Sequence, residues 1–390
     1  MLIRGLIGSL KRELRAIVVD RLYLSSVVIL PVVMIIFFGI MFYRGAIDNL
    51  PIVVVDRDNS VMSRKLRGMI DASAGVDIAF QAQSINEAES LMLGGEVLAI
   101  LYIDDGFEQS IYRGVTTSVE CYMSGTNLSA SGIIERDVQQ AVQLFSKGVA
   151  LEKLQMMGVG YSQAMVDIMP IRVSANIVSN PYLNYGYYLA PIFMIMGVII
   201  FTMLSTIYAI GRELRYGTAK EWMVAACDSL LGGVVGKLLP TTIVMLLLSQ
   251  LIYAILFMIM GMECAGSYLY LSIATLLLIL AYQSIATLFV ALTSNMRLAL
   301  SLGGGYAVMA FTFSGVTFPT MAMYGVARGL SYLFPLTYFS DIFTDQAMRG
   351  APIEYDAIKM LCIALFISVV PLSWRRIHSV VKNKEYWGRE

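Results

Sequence analysis

Six stretches of this sequence carry no Asp, Glu, Lys or Arg, and that feature limits what the chain can fold into. They are Leu22–Tyr43, Val173–Ile210 (apolar from about Tyr187), Leu238–Met262, Cys264–Met296, Leu298–Ala327 and Met360–Trp374. About 20 apolar residues in helical form cross a bilayer. The last stretch is the shortest, and Ala357, Ile358 and a snorkelling Lys359 extend it. The plainer reading, core helices of a water-soluble protein, fails on composition. Charged residues are 14% of the 390, against roughly 25% in a soluble domain, and mean hydropathy is +0.70. The expected fold class is an α-helical polytopic membrane protein with six transmembrane helices.

Charge outside these stretches sets an expected topology. Arg4, Lys11, Arg12, Arg15 and Arg21 precede the first span; Arg212, Arg215, Lys220 and Lys237 follow the second. The tail after the sixth holds five basic residues, the last being Arg389, whereas loop 261–267 on the other side holds none. The positive-inside rule then puts both termini in the cytoplasm and 44–186 outside. Leu22–Tyr43 is too long for a signal-peptide core, and no small-x-small cleavage site follows it, so it reads as a retained anchor. The expected organisation is a cytoplasmic amphipathic segment 1–21, a first transmembrane helix 22–43, an extracytoplasmic domain 44–186, five further helices within 187–374, and a cytoplasmic tail 375–390.

The inserted segment changes texture. Pro51–Asp56 and Val97–Ile103 are β-branched or apolar runs that read as buried strands, and Val76–Gln81 alternates. Val61–Asp71 has helical spacing, and Ser84-Ile85-Asn86-Glu87 resembles a capping box opening a helix over Ile85–Leu93. Strands alternating with helices predict a mixed α/β domain inserted between the first two spans. From Asn127 to Met169 the pattern predicts one long helix or two. Asp56-x-Asp58-x-Ser60 invites a calcium reading, but Val61 and Arg67 stand where an EF-hand needs Gly and Glu. A strand end followed by a helix cap is the better reading. Asn127-Leu128-Ser129 is a bare glycosylation match.

Several chemistries are ruled out. His378 is the only histidine, which removes multi-histidine metal sites, and Cys121, Cys227, Cys264 and Cys362 form no CxxC pair. Cys121 and Cys264 would face the oxidising side, with no distance given by the sequence. Lys+Arg and Asp+Glu are equal at 28 each, so no nucleic-acid partner is expected. No span carries an ionisable residue at mid-depth, which leaves a proton or sodium relay little to work with. Leu231–Leu238 (LGGVVGKL) fails the phosphate-loop pattern at both ends. Gly232 and Gly236 read instead as close helix approach, and Gly303-Gly304-Gly305 as packing or a kink. No catalytic residues, no metal and no cofactor bound by this chain are expected. Energy for uphill transport would enter from outside the chain.

Specific motifs go further. Leu2, Ile3, Leu6, Leu10, Leu14 and Ile17 share a face opposite Lys11, Arg12 and Arg15, as in an interfacial helix. PIVVVDRDNSVMS at Pro51–Ser63, GRELRYGTAKEWMVAACDSLLGGVVGK at Gly211–Lys237, and Ser179-Asn180-Pro181-Tyr182 follow. Then come Phe313-Ser314-Gly315-Val316-Thr317-Phe318-Pro319, Leu333-Phe334-Pro335-Leu336-Thr337-Tyr338-Phe339 and Gly350. Together these resemble the membrane-spanning subunit of ABC-2 type transporters, in the branch with a large domain between the first and second spans. The resemblance covers essentially the whole chain. Three departures stand out: Asp104 replaces an expected Pro, Glu221 falls one place late, and Ala226 or a neighbour replaces another Pro.

The resemblance implies a connecting helix at the N-terminus and, in loop 211–237, a coupling helix that docks on a separate ATP-binding cassette subunit. Arg212, Glu213, Gly217, Thr218, Glu221 and Trp222 would be its coupling residues, with Glu213, Glu221 and Trp222 as grips. It also implies an outer re-entrant region, 315–357, involving Phe313, Ser314, Gly315, Phe318, Pro319, Phe334, Pro335 and Tyr338. The implied protein is an exporter permease in a bacterial inner membrane. ATP and Mg would sit on the partner, and the chain would pair with a second permease copy or a related chain within membrane lipid. A periplasmic adaptor is a further candidate partner. Twenty-five methionines in an uncharged bundle favour an apolar or amphipathic cargo such as a drug, lipid or lipopeptide. Two rivals are a receptor or scaffold binding a ligand through 44–186, and a facilitator running without ATP.

Overall fold

The computed structural model describes residues 2–43, 45, 47–169, 179–180 and 184–388. The chain divides into two units, Met1–Gly45 with Ile177–Glu390, and Ala46–Asn176.

The first unit opens with α1 (Leu2–Val19). The helical run Arg21–Met41 follows as α2, its start capped by Asp20, whose carboxylate accepts from the Leu22 and Tyr23 amides.

The second unit runs β1 (Leu50–Asp56), α3 (Val61–Asp71), β2 (Val76–Gln81), α4 (Ile85–Leu93), β3 (Ala99–Ile103), α5 (Phe107–Arg113), β4 (Val119–Met123), α6 (Leu128–Met156) and α7 (Tyr161–Ile168). Strand order is β2-β1-β3-β4, with β1 parallel to β2 and β3, and β4 antiparallel to β3. Alternation along β1 serves both sheet faces. Ile52 and Val54 pack with Leu66, Ile134 and Phe145, while Val53 and Val55 pack with Ala88. Helices therefore cover both faces, which explains the unbroken apolar run. Asp56 accepts from the Asn59 amide and the Ser63 hydroxyl and pairs with Arg67, so its oxygens serve the turn and the helix cap. Asn127 is the N-cap of α6, accepting from Ala130. Sequence reading missed β4, a five-residue strand with half-buried alternate positions.

The first unit resumes with α8 (Tyr185–Arg215), α9 (Ala219–Ala225), α10 (Leu230–Ile259), α11 (Tyr268–Thr293), α12 (Met296–Thr312), α13 (Gly325–Ser331), α14 (Pro335–Phe343), α15 (Ala357–Ile367) and α16 (Val369–Lys382). α8 is central: Met194, Ile195, Val198, Ile199, Met203 and Ile207 are all buried in the bundle core. Hydroxyls inside the bundle bond back along their own helices, as Thr202 to Val198, Ser249 to Met245 and Thr287 to Gln283. That satisfies them where no water is available.

Five helices among the described residues are long and apolar enough to cross a membrane: Arg21–Met41, Gly186–Arg215, Leu230–Ile259, Tyr268–Thr293 and the run Ile353–Lys382. The expected fifth span, Leu298–Ala327, is not one helix. α12 is 17 residues long, roughly 25 Å at 1.5 Å per residue, and ends at Thr312. Beyond it Gly315 takes φ +88°, where a β-carbon would meet Thr320. The third span begins eight residues earlier than expected, because Ser229 caps α10 through the Gly232 amide. Lys237 is therefore a helix residue and not a loop residue. Pro181 and Tyr182 of the N-P motif lie outside the described residues.

Candidate functional site

The site is built where α8 ends. Gly217 adopts φ +69°, which lets the chain reverse. The Thr218 amide then bonds back to the Glu213 carbonyl and the Gly217 amide to Leu214, closing the helix end. The R-E-x-x-x-G-T pattern thus has a backbone cause. It also turns the Thr218 hydroxyl onto the Glu213 carboxylate.

Glu213 is fully buried. Arg12 of α1 meets it with two parallel hydrogen bonds of 2.8 and 3.0 Å. Lys237 of α10 donates to Glu213 at 2.8 Å and to Glu13 of α1 at 2.5 Å, with its side chain 1% exposed. Two acids and two bases from three helices thus neutralise each other, with Arg12 alone partly exposed. The remaining oxygen of Glu13, the Tyr23 hydroxyl and the Thr241 hydroxyl are buried beside one another and make no other hydrogen bond among the described residues.

Trp222 of α9 is also fully buried. Its ring nitrogen donates to the Ser9 hydroxyl at 3.1 Å, and Ser9 donates to the Gly233 carbonyl at 2.8 Å. The Lys237 ammonium lies 5.1 Å from its ring centre. Small residues make these approaches possible. A β-carbon on Gly5 or Gly8 would sit 2.1 Å from the carbonyl oxygens of Ala226 and Ala225, and one on Gly236 would sit 2.4 Å from that of Leu6. The inward face of α1 is therefore Gly5, Ser9, Glu13 and Ile17, while Leu2, Ile3, Ile7 and Leu14 point outward. Gly304 and Gly305 face open space, and only Gly303 of that trio packs closely, against Ile207.

Arg212 pairs with Asp20 at 3.6 Å and lies over the Tyr23 ring. Burial pushes the Asp20 carboxyl up, but hydrogen bonds from Tyr208 and the Tyr23 and Leu22 amides hold it below the usual value. Glu221 is exposed, its side chain 74% accessible and 3.8 Å from Arg12. Of the six expected coupling residues, Glu213 and Trp222 are buried inside the chain. They position α9, while Glu221, Lys220 and Val224 face outward.

The second expected group is brought together by chain reversal. Phe313 stacks on Phe334 at 5.9 Å with rings 3° from parallel, and Tyr306 lies 5.0 Å from Phe334. Ser340 donates to the Ser314 carbonyl at 2.7 Å, and Pro335 begins α14 where its missing amide costs nothing. Tyr338 bonds to the Tyr332 carbonyl. Phe318 and Pro319 are exposed and outside this stack. Lys359 is not a free snorkelling residue: it bridges Asp345 at 2.5 Å and Asp356 at 2.8 Å. Gln346 donates to Asp356 and accepts from the Ser267 amide, docking the turn after α10.

Sequence reasoning missed Glu13, Ser9, Gly5, Gly8 and Asp20. A signal was present: Gly5, Ser9, Glu13 and Ile17 recur every four residues, the small-residue spacing of close helix pairs. All four cysteines are free, and no cluster of three metal-ligating side chains occurs among the described residues.

Residues 21–374 match the family described as ABC-2 family transporter protein. The chain is 20% identical over 312 residues to the probable multidrug ABC transporter permease YbhR of Escherichia coli K12, covering 79% of this chain and 80% of that one. The same protein of Escherichia coli O157:H7 matches equally. No solved structure matches.

Proposed function

This chain belongs to the ABC-2 family of transporter proteins, and on that premise we propose that it is the permease subunit of an ATP-driven exporter. Two permease subunits, identical or related, form the pathway. ATP and Mg bind on separate cassette subunits, and this chain performs no covalent chemistry. Both termini and α9 face the cytoplasm of a bacterial inner membrane, and the unit Ala46–Asn176 lies outside, where an adaptor is a further partner. The relative's printed multidrug role and the uncharged, methionine-rich bundle favour an apolar or amphipathic cargo.

The observation that carries this reading is the mounting of α9. A short helix transmits a push only if it is rigid. Trp222 and the Thr218–Glu213 contact tie this one to α1, α8 and α10, leaving Lys220, Glu221 and Val224 free to meet a partner.

Pull-down from detergent-solubilised membranes tests it, with ATPase activity measured in the eluate. Wild type brings down an ATPase; a Glu221→Ala/Val224→Asp variant loses it while its thermal unfolding stays at the wild-type value. No ATPase with wild type in several detergents overturns the reading and favours a receptor or an ATP-independent facilitator.

A further inference from the structure

A cleft of about 550 Å³ lies between α10, α11 and the junction of α15 with α16. It exists because the last helical run breaks at Ser368, whose amide turns back to the Leu365 carbonyl. Leu231, Val235 and Leu238 of α10 form one wall, and Ala364 and Pro371 the other. The floor holds one large polar side chain, Gln283. Its carbonyl oxygen accepts from Thr242 at 2.9 Å and its amide leans on the Leu238 carbonyl at 3.5 Å. With those contacts made, the cleft asks for an apolar occupant.

Its position says where the occupant comes from. The outward neighbours Leu231, Val235 and Leu365 are exposed apolar residues of membrane-length helices. The wall on α10 is its first turns, directly after the capped, polar start at Ser229. The cleft thus straddles a boundary between apolar and polar surroundings.

A charge sits at that boundary. Arg375 is exposed and one turn beyond Pro371 on the same helical face. Long helical side chains lean toward the N-terminus, so a guanidinium one turn beyond the lining residue Pro371 is within reach of the mouth. It has no ion-pair partner among the described residues. Arg376, by contrast, is committed to the Tyr386 ring at 5.1 Å. An apolar slot under an unpaired cation complements a phosphate joined to a hydrocarbon chain. We infer that the cleft is a binding site for one anionic phospholipid, its acyl chain between α10 and α15 and its phosphate on Arg375. This lipid is a resident of the chain, and the site does not depend on the transport reading.

Native mass spectrometry of the purified full chain in detergent tests it, with phosphatidylglycerol and phosphatidylcholine of identical chains as probes. Wild type retains phosphatidylglycerol about fivefold better, the worth of one basic side chain against an anionic lipid. Arg375→Gln removes that preference and leaves the two lipids equal. Ala364→Trp, which fills the slot, loses both lipids. Glycerol 3-phosphate, a headgroup without chains, does not compete. The proposal is overturned if wild type shows no preference, if Arg375→Gln keeps it, or if glycerol 3-phosphate displaces the lipid. Full lipid retention by a normally folded Ala364→Trp protein also overturns it. Arg375 is exposed, so its variant decides the matter even where Ala364→Trp does not fold.

Discussion

Each end of α10 is closed by a lysine held between two carboxylates, and the two closures differ instructively. At the Leu230 end, Lys237 bridges Glu13 and Glu213 at 2.5 and 2.8 Å, with Arg12 on Glu213. Beyond the Ile259 end, Lys359 bridges Asp345 and Asp356 at the same two distances, with Arg349 on Asp345. Composition and geometry are nearly identical. Sequence separation is not: 224 and 24 residues in the first cluster, 14 and 3 in the second. Nor is burial, since the Lys237 side chain is 1% exposed and that of Lys359 is 26%. The second cluster stiffens one local turn. The first, together with the Trp222–Ser9–Gly233 hydrogen bonds, fastens α1 and α9 to the bundle. Equal contacts are thus unequal in consequence, because the cost of breaking a pair depends on what still holds the buried charge left behind. Asp356 keeps Gln346 and Asp345 keeps Arg349, while Glu13 keeps no cation.

Lys237→Met is the severest test. It strands the buried Glu13 without a cation and leaves Glu213 to Arg12 alone, at a cost of about 3–5 kcal/mol, read from chemical unfolding in detergent. A Glu13→Gln/Lys237→Met double variant regains much of this, because Arg12 still neutralises Glu213. Strict additivity of the two single effects would show that the cluster is not coupled, and the contrast would collapse. Next comes Gly236→Val. Its β-carbon meets the Leu6 carbonyl at 2.4 Å, and a backbone atom gives little, so a loss of about 1–3 kcal/mol is expected. Protease cleavage within α1 should rise with it. Gly304→Val faces open space and should change neither quantity.

The same contrast explains what was legible beforehand. Asp356 and Lys359 are three residues apart and Asp345 and Arg349 four, so helical spacing alone suggests those pairs. Lys237 and Glu13 are brought together only by the packing of α1 on α10, which no local rule encodes. Spans could be read because twenty apolar residues are a local property, and β1, α3 and β2 because alternation and Ser60 are local too. The end of α12 is not marked by charge: Ser314-Gly315 breaks the helix by backbone conformation alone, with Gly315 at φ +88°. Of the expected coupling residues, Glu221 is exposed while Glu213 and Trp222 are buried against α1. Glu213 and Trp222 look like exposed grips in a polar segment until Gly5, Gly8 and Ser9 are seen to make room for α1 on that side.

Lys359→Met should cost about 1–3 kcal/mol, less than Lys237→Met, because Gln346 still donates to the buried Asp356 and Arg349 still pairs with Asp345. Equal losses would mean that these remaining partners are not what separates the two clusters.

The smallest effect is a dependence on pH. Burial raises the Asp345 carboxyl, but hydrogen bonds from Lys359 and Arg349 outweigh it and hold it below its ordinary 3.8. A carboxylate whose folded pKa is depressed adds stability that is complete above the unfolded value. That stability is lost as pH falls through the lower, folded one. Wild type should therefore resist unfolding better than Asp345→Asn by a constant margin from neutral pH down to about 5, and the margin should shrink below about 4. Dye-monitored unfolding in a detergent that tolerates acid would measure it. A margin unchanged at about pH 2.5 would mean that Asp345 acts through its shape and hydrogen bonds and not its charge. The Lys359 cluster would then be a polar turn carrying incidental charges, and the likeness between the two ends of α10 would be one of geometry alone.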